Sequence, residues 1–196
     1  MKECPFCKLD KNDIVNTILD ESNNFLVLPT KGAFCDGYLL IVPKKHINSM
    51  NELTDEQKDE LINLIDTYRK KFKDIFGEYP LLFEHGSSSI DATASSSSIR
   101  HAHIHIVNHK FKAEQNIIST LNMNKVSLQE FFEFKDKNYI SYISNNRKFY
   151  ITYNFKPVSQ QMRIYIAEDL GILNNFNWRE NNFDSNILKT IEKFKK

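Results

Sequence analysis

The chain has 196 residues, of which 41% are hydrophobic, 12% aromatic and 26% charged, a composition that supports one domain with an elaboration or two small domains. Its 26 Lys and Arg residues against 25 Asp and Glu residues leave a net charge of +1, so nucleic acid as a main partner gets no support from charge. The first residues lack the apolar segment of a signal peptide, and no run is apolar enough to span a membrane. We therefore expect a cytoplasmic protein without a membrane partner.

The cysteines indicate a metal or redox function more than a disulfide framework. Cys4, Cys7 and Cys35 are too few and odd in number for such a framework. In a reducing compartment, the spacing Cys4-Pro5-Phe6-Cys7 indicates half of a metal site or a redox pair, and two small core cysteines are the alternative. A zinc site has about four ligands, so two more would have to come from elsewhere in the chain.

Hydrophobic periodicity predicts five strands and one long helix in the first part of the chain. The strands are expected over 12–19, 24–29 (after a polar turn at 20–23), 38–42, 80–84 and 101–107. Thr54-Asp55-Glu56-Gln57 is a capping box that opens the helix, and Gly77 ends it. The segment 85–98 is small and polar, which is typical of a loop that offers hydroxyl and N–H groups to an anion.

The pattern changes after residue 107. The sequence first predicts a helix over 112–122 and a short helix from the capping box at Ser127 through Phe134. A hairpin of 139–143 with 148–153 is expected to follow. The last two predicted elements are a helix capped by Ser159 and ended by Gly171, and a helix from Asp184. We therefore predict an α+β core over 1–110, with 111–196 as an α/β extension of helices and a hairpin packed on it.

Three of the six histidines stand at alternate positions, His101, His103 and His105. On a strand, alternate side chains leave from one face, so the three imidazoles are predicted to lie together. Histidine suits nucleophilic and proton-transfer chemistry because its ordinary pKa is near neutral. A reaction site or a metal site is the interpretation that this pattern favours over a structural role.

The stretch Pro43-Lys44-Lys45-His46, followed by a helix, a strand, a small-residue loop and His101-Ala-His103-Ile-His105-Ile-Val107, resembles the histidine triad (HIT) family over about residues 4–110. The resemblance implies a HIT-like antiparallel sheet with packed helices, commonly dimerised, so a homodimer is among the expected assemblies. Family members hydrolyse or transfer nucleoside monophosphates, from substrates such as dinucleoside polyphosphates and phosphoramidates, through a histidine nucleophile. The chain is therefore expected to be an enzyme acting on a nucleotide, without an organic cofactor.

The resemblance also assigns catalytic roles. It implies that His103 is the nucleophile, and that His101 and His105 donate hydrogen bonds to phosphate oxygens. Ser98 stands three residues before His101, where the family has a Ser or Thr that binds the phosphate or the leaving group. A metal-dependent hydrolase that uses the three histidines and a nucleotide-binding module without turnover are the alternatives, although the first and third histidines would lie about 13 Å apart on a strand.

Further substrate contacts are expected from Ser97, Glu84 and Leu28. Glu84 stands near a position where the family commonly has Asn, and a carboxylate close to a phosphate is unfavourable unless it is paired. The extension offers Arg163 and Arg179, whose guanidinium groups would suit a phosphate or leaving group. The alternative is that this segment only packs on the core.

Some bacterial members of the histidine triad family bind a structural zinc. The resemblance implies that the zinc ligands in this chain are Cys4, Cys7, His46 and His101. A His101 committed to zinc is removed from phosphate contact, so the two roles compete.

Overall fold

The computed structural model describes residues 4–87, 97–133, 137–153 and 155–195. Most of the predicted serine loop (88–96) and Phe134 lie outside the described residues. No helix in the described part is long and apolar enough to cross a membrane.

One antiparallel sheet forms the centre of the described structure. Its strands are β1 (Asp20–Glu21), β2 (Phe25–Pro29), β3 (Tyr38–Pro43), β4 (Leu81–Gly86), β5 (Ile104–Val107), β6 (Asn124–Val126), β7 (Tyr139–Ile143) and β8 (Phe149–Thr152). They lie side by side in the order β1-β2-β3-β5-β4-β7-β8-β6. The α-helices are α1 (Asp55–Phe76), α2 (Glu114–Thr120), α3 (Leu128–Phe131), α4 (Gln161–Asp169) and α5 (Asp184–Phe194). The α+β architecture predicted from the sequence is confirmed.

Helix α1 covers one face of the sheet. Thr54 accepts a hydrogen bond from the Gln57 amide, the Gln57 side chain accepts from the Thr54 amide, and Gly77 ends the helix at a φ of 78°. Its buried residues, including Leu61 and Phe72, pack against the face that carries Leu39, Ile41, Ile104 and Ile106. This face is apolar because alternate strand residues point into the same core.

The opposite face, which carries His105, is covered by helices of the extension. Met162 and Ile166 of α4, with Ile118 of α2 and Ile187 of α5, join one core cluster with Tyr38 and Phe83 of the sheet. The hairpin β7–β8 predicted from the sequence is confirmed, and β7 pairs with β4 from Leu82 to Gly86. Strands from both sides of residue 110 thus form one sheet; the division into domains at this residue stays a prediction.

The first predicted strand, 12–19, is wrong. Ile14–Asn16 form a 3₁₀ helix, and β1 lies at Asp20–Glu21, where a turn was expected. The cause is local: the Asp13 carboxylate accepts from the Val15 amide at 3.2 Å, and such side-chain bonds compete with strand pairing.

Two other predicted boundaries are corrected. The N-cap of α4 is Gln160, with φ of 63°, and not Ser159, because the Gln160 side chain bonds to Asn177 and Trp178 and thereby fixes where the helix begins. The strand β5 begins at Ile104 and not at His101, since the Ala102 amide donates to the Ile47 carbonyl, outside the sheet.

Candidate active site and metal centre

Three buried histidines line one cavity of about 230 Å³ on the face covered by the extension. His105 lies on β5, opposite Phe83 of β4, and His103 directly precedes the strand. The third is His85 of β4, two residues beyond Phe83 on the same face. Pro5 and Phe6 from the N-terminal loop and Gln160, Arg163 and Trp178 from the extension add to the cavity wall.

The hydrogen bonds of His103 leave one ring nitrogen ready to attack. Its Nδ1 lies 2.7 Å from the carbonyl oxygen of His101, which can only accept, so Nδ1 carries the proton and Nε2 the lone pair. Burial lowers the pKa of His103 to about 4. The imidazole is therefore neutral at pH 7, the form in which it is a nucleophile.

His105 is held by two aromatic side chains. Its ring stacks on Phe83, with centroids 4.2 Å apart and 11° between the planes, and its Nδ1 lies 3.0 Å from the Tyr38 hydroxyl. Burial, followed by the neighbouring His103 and His85, holds the pKa of His105 well below its usual range. Its ring centroid is 4.8 Å from that of His103, so the two imidazoles lie side by side in the lining of the same cavity.

Sequence reasoning missed His85 and chose its neighbour Glu84 instead. The predicted strand ended at Glu84, but β4 runs on to Gly86, so the alternation that places Phe83 on the histidine face also places His85 there. The Met162 amide donates to His85 Nε2 at 3.3 Å, and burial lowers the pKa of His85 to about 3. Continuing the period-two pattern by two residues would have found it.

The expected role of Glu84 in substrate binding is corrected, because the alternation of side chains along β4 places Glu84 on the opposite face from Phe83 and His85. Its carboxylate accepts from the Met50 amide and from the Tyr139 hydroxyl, on the face away from the histidines. Leu28 is 1% exposed and packs with Leu40 and Val42, next to the cavity and not in its lining.

The two serines before the triad are placed differently. Ser98 lines the cavity, and its hydroxyl oxygen accepts from the indole N–H of Trp178 at 3.1 Å. The Ser97 hydroxyl donates to the Ile99 carbonyl, and Ser97 is not in the lining. Trp178 thus joins the extension to the segment that precedes the triad.

The two arginines of the extension also differ. Arg163 is 3% exposed and lines the cavity, and it donates to the Gly32 and Phe176 carbonyls and to the Tyr38 hydroxyl. Arg179 is exposed outside the cavity, where its guanidinium lies over the Trp178 ring and donates to the Ser98 carbonyl at 3.4 Å.

The four predicted metal ligands converge on one point. The ligand atoms of Cys4, Cys7, His46 and His101 all lie within 4.8 Å of one another. Cys4 Sγ is 3.3 Å from His101 Nδ1, and Cys7 Sγ is 3.2 Å from His46 Nδ1. Neighbouring ligand atoms of a tetrahedral zinc site are about 3.3–3.8 Å apart at ordinary Zn–S and Zn–N lengths, so these residues fit a metal ion of that kind.

His101 lies in this Cys/His cluster and outside the cavity lining. Its Nε2 donates to the Pro43 carbonyl at 2.8 Å, which leaves the Nδ1 lone pair for a metal. The expectation that His101 also donates to a phosphate is corrected, since both ring nitrogens are engaged outside the cavity lining. For the same reason the triad histidines do not converge on one catalytic metal.

Glu84→Gln is expected to raise the free energy of unfolding at pH 8 relative to wild type while turnover stays unchanged. Burial raises the pKa of Glu84 from 4.5 to about 7. Between these values the folded state holds a proton that the unfolded state has released, so the stability of wild type falls as pH rises through this window. The neutral side-chain amide of the Glu84→Gln variant does not titrate, so this fall in stability with rising pH should be absent from the variant. Denaturant unfolding from about pH 5 to about pH 8 measures it, and parallel pH profiles for variant and wild type would contradict the assignment.

Comparisons with known proteins agree on one family. The family model described as "Scavenger mRNA decapping enzyme C-term binding" matches residues 3–120. "Protein hit" of Bacillus subtilis is 24% identical over 106 residues, which cover 54% of this chain and 70% of that protein. "Adenosine 5'-monophosphoramidase hnt1" of Schizosaccharomyces pombe is 30% identical over 105 residues, which cover 53% of this chain and 72% of that protein.

Solved structures of named histidine triad proteins are also similar to this chain. A HIT family hydrolase from Legionella pneumophila has 25% identity and a TM-score of 0.41, covering 55% of this chain and 94% of that one. A zinc-bound histidine triad family protein from Mycobacterium smegmatis has 20% identity and a TM-score of 0.43, covering 54% of this chain and 73% of that one. The family-model match ends at residue 120, so the cavity residues Gln160, Arg163 and Trp178 lie beyond it.

Proposed function

Because this chain belongs to the histidine triad family, we propose that it is a hydrolase or transferase of nucleoside monophosphoryl groups that forms a covalent intermediate on His103. The observation that carries the proposal is the bond from His103 Nδ1 to the His101 carbonyl, which leaves the Nε2 lone pair in a cavity. The names of the relatives, which include a monophosphoramidase, support a nucleotide substrate.

The reaction would proceed in two displacements. The Nε2 lone pair of His103 attacks the phosphorus, a P–N bond forms, and the bond to the leaving group breaks with its electron pair. Water or another acceptor then attacks the same phosphorus and gives up a proton, the P–N bond breaks, and the electron pair returns to Nε2. His105 would donate from its Nε2–H to a phosphate oxygen as negative charge moves onto the group.

Two further groups would hold the phosphate. The Ser98 oxygen accepts from Trp178, so its own proton is available to a phosphate or leaving-group oxygen. Arg163 contributes positive charge: four of its hydrogen bonds go to neutral acceptors, and no carboxylate pairs with it among the described residues. A guanidinium has five N–H groups, so one remains for the substrate. Because the cavity histidines are neutral, Arg163 makes the site attractive to an anion.

The Cys/His cluster would hold a structural zinc ion, which soft thiolate and imidazole ligands in tetrahedral arrangement favour. Such an ion would fix the loop that carries Phe6, whose ring lies 5.3 Å from that of His103. Thiolate ligands persist in a reducing compartment, which supports the cytoplasm as the proposed location. A homodimer stays a prediction that light scattering would check.

Trapping the intermediate tests the proposal. The protein is mixed with adenylylated and guanylylated compounds, quenched at alkaline pH because a phosphoramidate is acid-labile, and analysed by mass spectrometry. We expect a mass increase of one nucleoside monophosphoryl group on the peptide that contains His103. Binding of the nucleotide without any adduct or turnover would instead identify a nucleotide-binding module.

Arg163→Met is expected to lower kcat/KM by about 10–100-fold, because a charge-assisted contact to phosphate is lost. The matched control is Arg69→Met. Arg69 is also buried and donates to three carbonyls, those of Pro80, Ser144 and Asn145, but lies outside the cavity lining. Equal kinetic effects of the two variants would show that Arg163 contributes to folding only.

A further inference from the structure

A buried tyrosine connects the extension to the histidine cluster. Tyr38 of β3 is 0% exposed, and its hydroxyl oxygen lies 3.0 Å from His105 Nδ1 and 3.3 Å from Nη1 of Arg163. The Tyr38 and His105 rings meet edge to face, with centroids 5.7 Å apart. Arg163 comes from α4, beyond the part of the chain that the family model matches.

The direction of these hydrogen bonds follows from the chemistry of the three groups. A guanidinium can only donate, so the Tyr38 oxygen accepts from Arg163. Burial raises the pKa of Tyr38 to about 12, so the phenol keeps its proton at neutral pH. That proton has His105 Nδ1 as its acceptor among the described residues. If Tyr38 accepted from His105 as well, its O–H would be buried without a partner, which costs about 1–3 kcal/mol.

The consequence is a defined tautomer of His105. With Nδ1 accepting from Tyr38, the proton of the neutral ring is on Nε2. His103 has the opposite arrangement, because its Nδ1 donates to a carbonyl and Nε2 holds the lone pair. The two neighbouring imidazoles thus offer one electron pair and one N–H to the same cavity.

We propose that Tyr38, oriented by Arg163, is a positioning residue that fixes His105 as the Nε2–H tautomer, so that this ring donates to the oxygen that gains negative charge during phosphoryl transfer. The inference rests on the proposed function for the last step only. It also gives the extension a specific role, because Arg163 then acts on the chemistry of the triad through Tyr38, in addition to attracting the phosphate.

Tyr38→Phe tests the proposal, because it removes the hydroxyl and keeps the ring. In wild type with ¹⁵N-labelled histidine, long-range ¹H–¹⁵N spectra should show His105 protonated at Nε2. In the variant, the signals should move toward the Nδ1–H tautomer. We expect kcat to fall by about 100-fold with little change in KM, as for the loss of one preorganised donor. Slow formation of the His103 adduct should remain.

The matched control is Tyr142→Phe. Tyr142 is also buried and lies in the same cross-strand row as Phe83 and His105. Its hydroxyl donates to the Glu114 carboxylate, and this is the hydrogen bond that the control variant loses. Its variant should keep the wild-type tautomer and kcat. An Nδ1–H tautomer in wild type, or an unchanged tautomer in Tyr38→Phe, would overturn the inference. These spectra need no substrate, so a failure of the inference is distinguishable from a failure of the proposed function, which would appear as absent adduct and turnover in wild type.

Discussion

Replacing His103 with alanine is expected to lower kcat/KM by at least about 10³-fold, as for other enzymes that lose their nucleophile. The reason is that, among the described residues, the other two cavity histidines do not offer the same lone pair. His85 Nε2 accepts from the Met162 amide, and His105 Nδ1 accepts from Tyr38. Steady-state kinetics with a nucleotide substrate measures the loss, and the adduct should disappear from the mass spectrum.

The stability of this variant needs its own measurement, because His103 is only 8% exposed and its removal leaves a gap in the wall. We expect a cost of about 1–2 kcal/mol in the free energy of unfolding and a retained fold. His109→Ala serves as the control, since His109 pairs with Asp169 outside the cavity lining. It should lose stability but not turnover. A His103→Ala protein with turnover within tenfold of wild type would rule out the covalent mechanism.

Local signals explain which elements could be predicted from the sequence. The long helix was correctly predicted because Thr54, Gln57 and Gly77 cap it with residues adjacent in sequence to its ends. The hairpin β7–β8 was correctly predicted because alternation and a polar turn are also local. The prediction for 12–19 failed because the side-chain hydrogen bond that Asp13 accepts from the Val15 amide favours a 3₁₀ turn over strand pairing.

The parts of the site that could not be predicted depend on contacts between distant residues. Arg163 and Tyr38 are 125 positions apart, and no periodicity links them. Strand β4 continues to His85 and Gly86 because β7 pairs with it, and Gly86 leaves room for the Tyr139 ring, which a Cβ there would meet at 2.2 Å. The sequence could therefore name the histidine motif, but only the fold shows which side chains share its cavity.

The double variant Cys4→Ser, Cys7→Ser is expected to lose one bound metal ion and to have a melting temperature lower by about 5–10 °C. Serine hydroxyls are poor replacements for thiolates at such a site. Loss of the metal ion should also lower the catalytic activity, because Phe6 lies between the two cysteines and contacts the His103 ring. The carbonyl that accepts from His103 Nδ1 belongs to His101, itself a predicted ligand. We therefore expect a higher KM and a lower kcat together.

Metal analysis of freshly purified protein, thermal unfolding and kinetics on the same samples check this prediction. Cys35→Ser is the matched control, because Cys35 lies apart from the cluster with its thiol directed to the Asn108 carbonyl, and burial raises its pKa to about 12. It should keep the metal. Chelation of the wild type should reproduce the loss of stability seen in the double variant. Wild type without metal, or a double variant that retains it, would show that the cluster is not a metal centre, and the cysteines would then serve only to pack the N-terminal loop against the cavity.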